Sequence, residues 1–152
     1  MGRILVKLKR IEYSRLNARQ KENFNYQKLS AVLADYGFVT IRLSDDWQGA
    51  DLIAQHVDGA TFLRVQLKGR LSFYRKYESK DLWIAFNDGE EWYLYPHDRL
   101  LEQVLKATGI GSTVSWLERG GYSWPRFPKQ LRKLLSEYRI SGDARPVPGD
   151  AR

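Results

Sequence analysis

The sequence predicts one α/β domain built on a single mixed β-sheet that helices flank, and three observations support this prediction. A chain of 152 residues with 43% hydrophobic residues has the size of one ordinary domain and can bury a full core. Helical and strand-like hydrophobic patterns follow one another along it. No repeat or interior linker separates them, so we predict one domain over residues 1–140. Residues 141–152 combine Pro, Gly and charge without an apolar period and are expected to form a flexible tail.

The first helix is predicted from Asn17 to Tyr36. Asn17 and Gln20 form a weak variant of the capping box, and Gly37 is placed to end the helix. Apolar residues at helical spacing predict one core-facing stripe: Leu29, Val32, Leu33 and Tyr36. Glu22 lies seven residues before Leu29, so we expect its carboxylate on the same face of the helix, toward the end of the sheet.

Later segments alternate between strand and helix patterns. The β-branched and aromatic content predicts strands over 38–43, 81–86 and 91–95, with a turn at 87–89 between the last two. Pro96 opens a helix predicted over 98–108. The segment 115–128 is expected to be loop-rich and aromatic, and a last helix is expected to begin near Pro128 and continue to residue 140.

A hairpin is predicted around the turn Asp58-Gly59, which is the strongest short-range hairpin signal in the chain. A two-residue loop fixes a register in which Asp51 lies opposite Gln66, with Cβ atoms about 4.5–5.5 Å apart. Alternation then places Asp51, Gln66 and Lys68 on one face. The other face is apolar and comprises Leu52, Ala54, Leu63, Val65 and Leu67, with His56 near the turn.

The positive charge of the chain favours an anionic partner. The chain has 25 Lys and Arg residues and 18 Asp and Glu residues, which gives a net charge of +7. This charge favours nucleic acid as the partner, in preference to a membrane surface. The basic residues cluster over 3–21, 68–80 and 125–139. Phe73, Tyr74 and Tyr77 interleave the middle cluster, a mixture expected where phosphates are neutralised and rings touch sugars or bases. A solvated charged face is the alternative interpretation.

Composition also excludes several kinds of site. The absence of cysteine removes disulfides and thiolate zinc sites, and two histidines make a histidine-built metal site improbable, so any metal must use oxygen ligands. His97 is interpreted as a residue of the helix start, and Asp45 and Asp46 as loop or turn residues. The N-terminal segment has no apolar run typical of a secretory signal or a membrane span, so we predict a cytoplasmic protein.

The pattern of Asp51 followed by Gln66-x-Lys68 on a hairpin resembles the active site of the PD-(D/E)XK nuclease superfamily. Glutamine replaces the second acid, a variation seen in Mrr-like restriction endonucleases and an intron homing endonuclease. The resemblance runs from the first helix to Glu102, about two thirds of the chain. It implies a restriction-endonuclease-like core in which Mg²⁺ is held by Asp51, Gln66 and the Leu67 carbonyl oxygen.

The same resemblance implies roles for further residues. Lys68 would orient the attacking water and offset phosphate charge, and Glu22 would reach the metal from the preceding helix, which makes the expected catalytic set Asp51, Gln66, Lys68 and Glu22. We therefore expect a Mg²⁺-dependent endonuclease that cuts duplex DNA. The nucleic-acid-binding residues are expected to be Lys68, Arg70, Tyr74, Arg75 and Lys76. Cutting both strands favours a homo-oligomer, with the aromatic residues of 115–127 at its interface.

Three alternatives stay open at this point. Asp51, Gln66 and Lys68 could belong to an unrelated fold in which they are ordinary strand residues. A degenerate nuclease fold could bind nucleic acid without cutting it, because an amide at Gln66 removes one negative charge from the metal shell. A partner-binding protein could instead expose an aromatic patch of Trp92, Trp116 and Trp124.

Overall fold

The structure is a computed structural model that describes residues 7–141, except for the side chains of Asp46 and Trp47. The tail predicted over residues 141–152 lies outside the described residues except for Ser141. The helices are α1 (Ala18–Asp35), α2 (His97–Ala107), α3 (Val114–Arg119) and α4 (Lys129–Leu135). The strands are β1 (Phe38–Trp47), β2 (Ala50–His56), β3 (Phe62–Leu67), β4 (Ser72–Tyr74), β5 (Leu82–Asn87), β6 (Trp92–Pro96), β7 (Gly121–Ser123) and β8 (Arg139–Ile140). None of the helices in this part of the chain is long and apolar enough to cross a bilayer.

The main sheet contains six strands in the order β1-β2-β3-β5-β6-β8. β3 and β5 run parallel and the other neighbours are antiparallel, so the sheet is mixed and the predicted fold class is confirmed. A separate two-stranded sheet of β4 and β7 was not predicted, and it uses part of the segment expected to be loop.

Helix α1 has the ends that the sequence predicts. The Gln20 N–H donates to Asn17 Oδ1 (2.9 Å) and the Asn17 N–H donates to Gln20 Oε1 (3.0 Å), which confirms the capping box. Tyr36 is the C-cap, and Gly37 follows with φ of +84°, a conformation that glycine adopts without strain. A Cβ at Gly37 would lie 2.9 Å from His56 Nε2, so a side chain has no space there.

Two hydrophobic cores lie on opposite faces of the main sheet. The α1-side core packs Leu29 and Leu33 of α1 on alternate residues of the strands: Leu52, Ala54, Val65, Ala85, Trp92 and Leu94. The α2-side core uses the intervening strand residues with the later helices, and it includes Ile84, Phe86, Tyr93, Tyr95, Leu100, Val104, Trp116 and Leu131. The sheet is therefore a layer between α1 and the later helices.

Several aromatic residues that were predicted from the sequence to lie at a surface are buried. Phe73 is 0% and Tyr77 4% exposed, so these rings belong to the core and not to a nucleic-acid surface. Trp92 (8%) and Trp116 (5%) are also buried, which refutes the exposed tryptophan patch. Tyr122, Trp124 and Phe127 are partly buried and pack against the α2-side core, and an interface at 115–127 stays a prediction. The homo-oligomer itself stays a prediction.

The C-terminal end of the fold also differs from the expected helix. Helix α4 ends at Leu135, a single 3-10 turn follows, and β8 pairs with β6 through Trp92↔Ile140 and Tyr93↔Arg139. Pairing gives the outer edge of β6 hydrogen-bond partners, which a continued helix would not supply.

Candidate active site

A register shift between β1 and β2 creates the space for a cleft. Arg42 pairs with Leu52 and Trp47 pairs with Ala50, so residues 43–46 of β1 stand opposite Asp51 alone. Such extra residues bend a strand and interrupt its ladder. Asp45 and Asp46, interpreted from sequence as loop or turn residues, thus belong to a strand that bulges beside Asp51.

The hairpin that carries the candidate residues has the predicted register. Leu52↔Val65, Ile53↔Arg64 and Ala54↔Leu63 are paired, while the strands end at His56 and Phe62, so the loop is longer than the two residues expected. The Asp58 carboxylate closes this loop by accepting hydrogen bonds from the Ala60 N–H (2.8 Å) and from the Thr61 N–H (2.9 Å) and hydroxyl (2.7 Å). These hydrogen bonds hold the pKa of the Asp58 carboxyl below its usual range, and the bond from the Thr61 N–H has the largest effect.

Asp51 and Gln66 meet at the end of the β2–β3 ladder. The paired positions of β2 and β3 end at Leu52↔Val65. Two residues further along β3, the Leu67 N–H donates to Asp51 Oδ2 at 2.8 Å. Gln66 Nε2 donates to the Leu67 carbonyl oxygen at 3.4 Å. A carboxylate, an amide and a backbone carbonyl are therefore gathered within one strand end.

Lys68 follows Leu67 in the chain, and contacts with neighbouring residues hold both its backbone and its side chain in place. Its N–H donates to the Ala85 carbonyl oxygen (2.9 Å), which extends the parallel pairing of β3 and β5. Its Nζ lies 4.7 Å from the Tyr74 ring centroid and 5.3 Å from that of Tyr77. Contacts of this kind favour an ammonium group over an aromatic face, so the two rings position the charge.

The cleft has a volume of about 960 Å³ and includes every residue of the expected catalytic set. Three elements line it: Ala18, Arg19, Glu22 and Tyr26 of α1; Arg42, Leu43, Ser44 and Asp45 of β1; and Asp51, Gln66, Leu67 and Lys68 of the hairpin. Glu22 lies on the turn after the N-cap of α1, so the capping box and the apolar stripe together place its carboxylate at the cleft.

Sequence reasoning missed three charged residues of this cleft, Arg19, Arg42 and Asp45. The Arg42 guanidinium lies 5.2 Å from the Tyr26 ring centroid and donates to Asn23 Oδ1. Arg19 could have been found from its place three residues before Glu22 on the same helix face. Arg42 borders the register shift and Asp45 lies within it, and this shift has no signal in the sequence.

The expected nucleic-acid-binding residues divide into two groups. Lys76 Nζ lies 5.4 Å from the Tyr74 ring centroid, so Lys76 and Tyr74 are neighbours of Lys68. Arg70 is exposed in the loop after β3, and Arg75 is exposed with its guanidinium 5.2 Å from the Trp116 ring centroid. Among these residues only Lys68 lines the cleft.

The donor atoms of the cleft suit a hard cation. Asp51 offers a carboxylate, and Gln66 and Leu67 offer neutral oxygens, which are the ligand types that Mg²⁺ takes in proteins. Within residues 7–141, no three acidic or histidine side chains are grouped so that they could hold a metal by themselves. The residues present thus fit a shell with a single carboxylate and neutral oxygens.

His97 serves the fold, in agreement with its interpretation as a residue of the helix start. It is fully buried at the first position of α2, where Nε2 accepts a hydrogen bond from the Tyr74 N–H (3.1 Å) and Nδ1 donates to Asp98 Oδ1 (2.9 Å). Burial lowers the pKa of the imidazole in spite of the opposing effect of Asp98. His97 therefore fixes the strand β4 that carries Tyr74 beside Lys68.

Comparison with known proteins gives weak similarities of fold. No family model and no curated protein matches the chain. One similar structure is Hjc, a Holliday junction resolvase of the archaeal hyperthermophile Archaeoglobus fulgidus, with a TM-score of 0.37 and 18% identity over 46% of this chain and 74% of that chain. Another is the bacterial homing endonuclease I-Ssp6803I, with a TM-score of 0.44 and 17% identity over 81% of this chain and 86% of that chain. Similarities at this level assign neither a family nor an activity to this chain.

Proposed function

We propose that this protein is a metal-dependent endonuclease that hydrolyses phosphodiester bonds in DNA. One observation carries the proposal: Asp51, Gln66, Lys68 and Glu22, which come from two separate segments of the chain, line the same cleft. The hairpin register alone brings Asp51 to Gln66, but only the packing of α1 on the sheet adds Glu22. This convergence of a carboxylate, an amide, a lysine and a second carboxylate supports a catalytic role for the cleft.

Each of these side chains suits one part of the hydrolysis. Hydrolysis of a phosphodiester needs a directed water molecule and stabilisation of negative charge on the phosphate oxygens. Lys68 supplies a positive charge that Tyr74 and Tyr77 hold in place, so it can hydrogen-bond a phosphate oxygen or orient the water. Glu22 supplies a carboxylate on the opposite wall of the cleft, within the first turns of α1.

Mg²⁺ is the proposed cofactor. Asp51, Gln66 and the Leu67 carbonyl oxygen would hold it, and when bound it would act as a Lewis acid toward the phosphate. Because two of these three ligands are neutral, the affinity for the ion in the absence of DNA should be low. A phosphate oxygen of the substrate and water molecules would supply further ligands.

Charge around the cleft supports DNA as the substrate. Arg19, Arg42 and Lys68 line the cleft beside the carboxylates of Glu22, Asp45 and Asp51, so positive charges that can meet phosphates stand next to the acids that can hold a cation, and the whole chain carries a formal net charge of +7. Lys76 and Tyr74 extend this basic and aromatic surface beyond Lys68. Phosphates attract such a surface without regard to base sequence.

The proposal is tested by plasmid nicking in Mg²⁺ together with a DNA-binding measurement in EDTA. Asp51→Ala should abolish nicking, because it removes the charged ligand of the proposed ion. Binding in EDTA should persist or tighten, since a carboxylate that faces phosphates is lost. Asp35→Ala is the matched control, because Asp35 is an exposed residue at the other end of α1.

Equal nicking by the wild type and Asp51→Ala would show that the site assignment is wrong. Loss of nicking in Asp35→Ala as well would point to a general effect of removing an acid and not to the cleft. Lys68→Ala should also stop nicking, with only a small loss of affinity, because Lys68 is one positive charge among many on the surface.

A non-catalytic nucleic-acid-binding module is the second candidate. It is favoured by the grouping of only one carboxylate with Gln66 and Leu67, which leaves a metal shell weaker than one with two acids. This candidate predicts that the wild type binds DNA in EDTA and in Mg²⁺ but never nicks it. Nicking by Gln66→Glu under the same conditions would show that the fold is competent and that the amide prevents turnover.

A further inference from the structure

A second cavity of about 420 Å³ lies beside the cleft, and Lys68 lines both. The two spaces flank the first half of α1. Glu22 and Tyr26 line the cleft, whereas Phe24 and Asn25 line the second cavity. A group that entered the second cavity would therefore lie within reach of a phosphate bound at Lys68.

Aromatic rings form much of the wall of this cavity. Tyr13 and Phe24 lie with ring centroids 5.3 Å apart at an interplanar angle of 60°, and Trp92 adds the indole from the strand β6. Trp92 is only 8% exposed, whereas Tyr13 is 42% exposed. The wall therefore combines a nearly buried ring with a more accessible one, an arrangement that suits a flat ligand.

Two amide side chains are held in place at the same cavity. Asn25 Nδ2 donates to the Tyr13 hydroxyl (2.9 Å), and Asn87 Oδ1 accepts from the Gly89 N–H (2.7 Å). These bonds do not use Asn25 Oδ1 or Asn87 Nδ2, so the wall offers one further acceptor and one further donor. The edge of a nucleobase carries the complementary pair of groups.

The charge of the wall is positive. Lys28 and Lys68 line it, and no carboxylate occurs among the described residues that do so. Lys28 Nζ lies 5.4 Å from the Phe24 ring centroid, and Lys21 Nζ lies 5.4 Å from that of Tyr13. Amino groups beside the rings suit the phosphates that flank a base, and an anionic backbone would meet no like charge there.

We propose that this cavity accepts a single nucleobase that has left the helical stack, next to the phosphate that lies in the cleft. The inference rests on the proposed function and narrows its substrate to DNA with an unpaired or easily extruded nucleotide beside the cut. Extrusion costs least where the base is already unpaired. The enzyme should thus prefer a distorted site over a regular duplex of the same sequence.

The test compares three duplexes that are identical except at one central position, and it is done in EDTA so that it does not depend on cleavage. One duplex is fully paired, one carries a single bulged nucleotide, and one carries a bulged abasic residue. The abasic duplex has the same bend and flexibility without a base to bind. We expect the wild type to bind the bulged nucleotide about 5- to 150-fold more tightly than the bulged abasic residue, the range measured for one stacked base.

Two variants test whether the preference for the bulged nucleotide arises in this cavity. Tyr13→Ala removes the exposed ring, and Phe24→Leu keeps an apolar side chain without a flat face, so both should reduce the preference for the bulged base. Tyr36→Ala is the matched control, because Tyr36 is 40% exposed at the far end of the same helix, and it should keep the wild-type preference.

Equal affinity of the wild type for the bulged base and the abasic residue would overturn this inference and leave the cleavage proposal in place. A preference that survives in both Tyr13→Ala and Phe24→Leu would also overturn it, because the base would then bind elsewhere. Failure to bind any of the three duplexes would overturn the inference and the proposed DNA substrate together.

Discussion

Asp51 links the end of a β-ladder to the chemistry of the cleft. Its carboxylate accepts a hydrogen bond from the Leu67 N–H, just beyond the last paired position of β2 and β3. The same side chain lines the cleft with Gln66 and Lys68. A strand end usually frays, but here the hydrogen bond to Asp51 fixes the backbone that carries the Leu67 carbonyl and the Lys68 side chain.

Gln66→Glu tests the charge of the proposed metal shell. The change places a second carboxylate beside Asp51 and removes the amide that donates to the Leu67 carbonyl oxygen. In EDTA the two like charges should lower the melting temperature, and Mg²⁺ should restore it, because the ion neutralises both. Melting curves across a Mg²⁺ titration measure this, and the midpoint of the nicking rate should move to a lower Mg²⁺ concentration.

Gln55→Glu is the control for that substitution. Gln55 is exposed on the same strand as Asp51, and it is paired with Phe62 away from the cleft. The melting temperature of the Gln55→Glu variant should respond to Mg²⁺ in the same way as that of the wild type. A Mg²⁺ response of Gln66→Glu that matches the response of Gln55→Glu would argue against an ion at the hairpin.

His97 should make stability depend on pH. The ordinary imidazole pKa of 6.5 is lowered in the fold by burial, so below about pH 6.5 the unfolded chain binds more protons than the folded one. The contribution of His97 to stability is therefore present above this pH and is lost as the pH falls below it. His97→Gln should be less stable at pH 7.5, and the difference from the wild type should narrow at pH 5.5. Urea unfolding at the two pH values measures this difference, and a constant difference would contradict the assignment.

Among the elements, α1 contributes one wall to the cleft and one to the second cavity. The N-cap that stabilises the start of α1 therefore also holds the residues that line both spaces. Asn17→Ala removes the acceptor for the Gln20 N–H and should reduce the free energy of unfolding by about 0.5–2 kcal/mol. For a domain of this size each kcal/mol lowers the melting temperature by about 2–4 °C. Thermal unfolding followed by circular dichroism measures the loss.

Asn17→Ser keeps a side-chain acceptor at the N-cap and should retain most of that stability. If Asn17→Ala and Asn17→Ser melted at the same temperature, the capping box would not contribute to the stability of α1.

The sequence predicted those elements whose signals are local. Asn17 and Gln20 predict the start of a helix, and Asp58-Gly59 predicts a hairpin. The register of that hairpin and the alternation of its side chains then place Asp51 and Gln66 together. The bulge at 43–46 depends on how β1 and β2 fit over the core, so it could not be read from either strand. The short strands β4 and β7 and the end of α4 likewise depend on partners distant in the chain.

At the scale of the whole molecule, the basic surface should bind DNA mainly through phosphates. Arg75 and Lys76 are both exposed: Lys76 lies beside the Tyr74 ring that holds Lys68, and the Arg75 guanidinium lies beside Trp116. If each contacts one phosphate, replacing both with alanine should weaken binding equally for different sequences. The slope of log affinity against log salt should shrink by about 0.9 per residue. Titrations at several salt concentrations measure this slope.

Lys106→Ala is the control for charge removal. Lys106 Nζ lies 3.3 Å from Glu102 Oε1 on the surface of α2, so its charge is already paired. It should leave the salt slope near that of the wild type. An unchanged slope in the Arg75 and Lys76 variant would place these two side chains away from the DNA backbone.

The bulge in β1 also bears on how the protein avoids aggregation. β1 is an outer strand of the main sheet, and Val39 and Ile41 on it are 63% and 54% exposed. A long outer strand with apolar side chains is a template on which another chain can add its own strand. Here the regular edge is confined to residues 38–42, because the following four residues leave the ladder. The irregularity that makes room for the cleft therefore also limits the growth of this sheet from one molecule to the next.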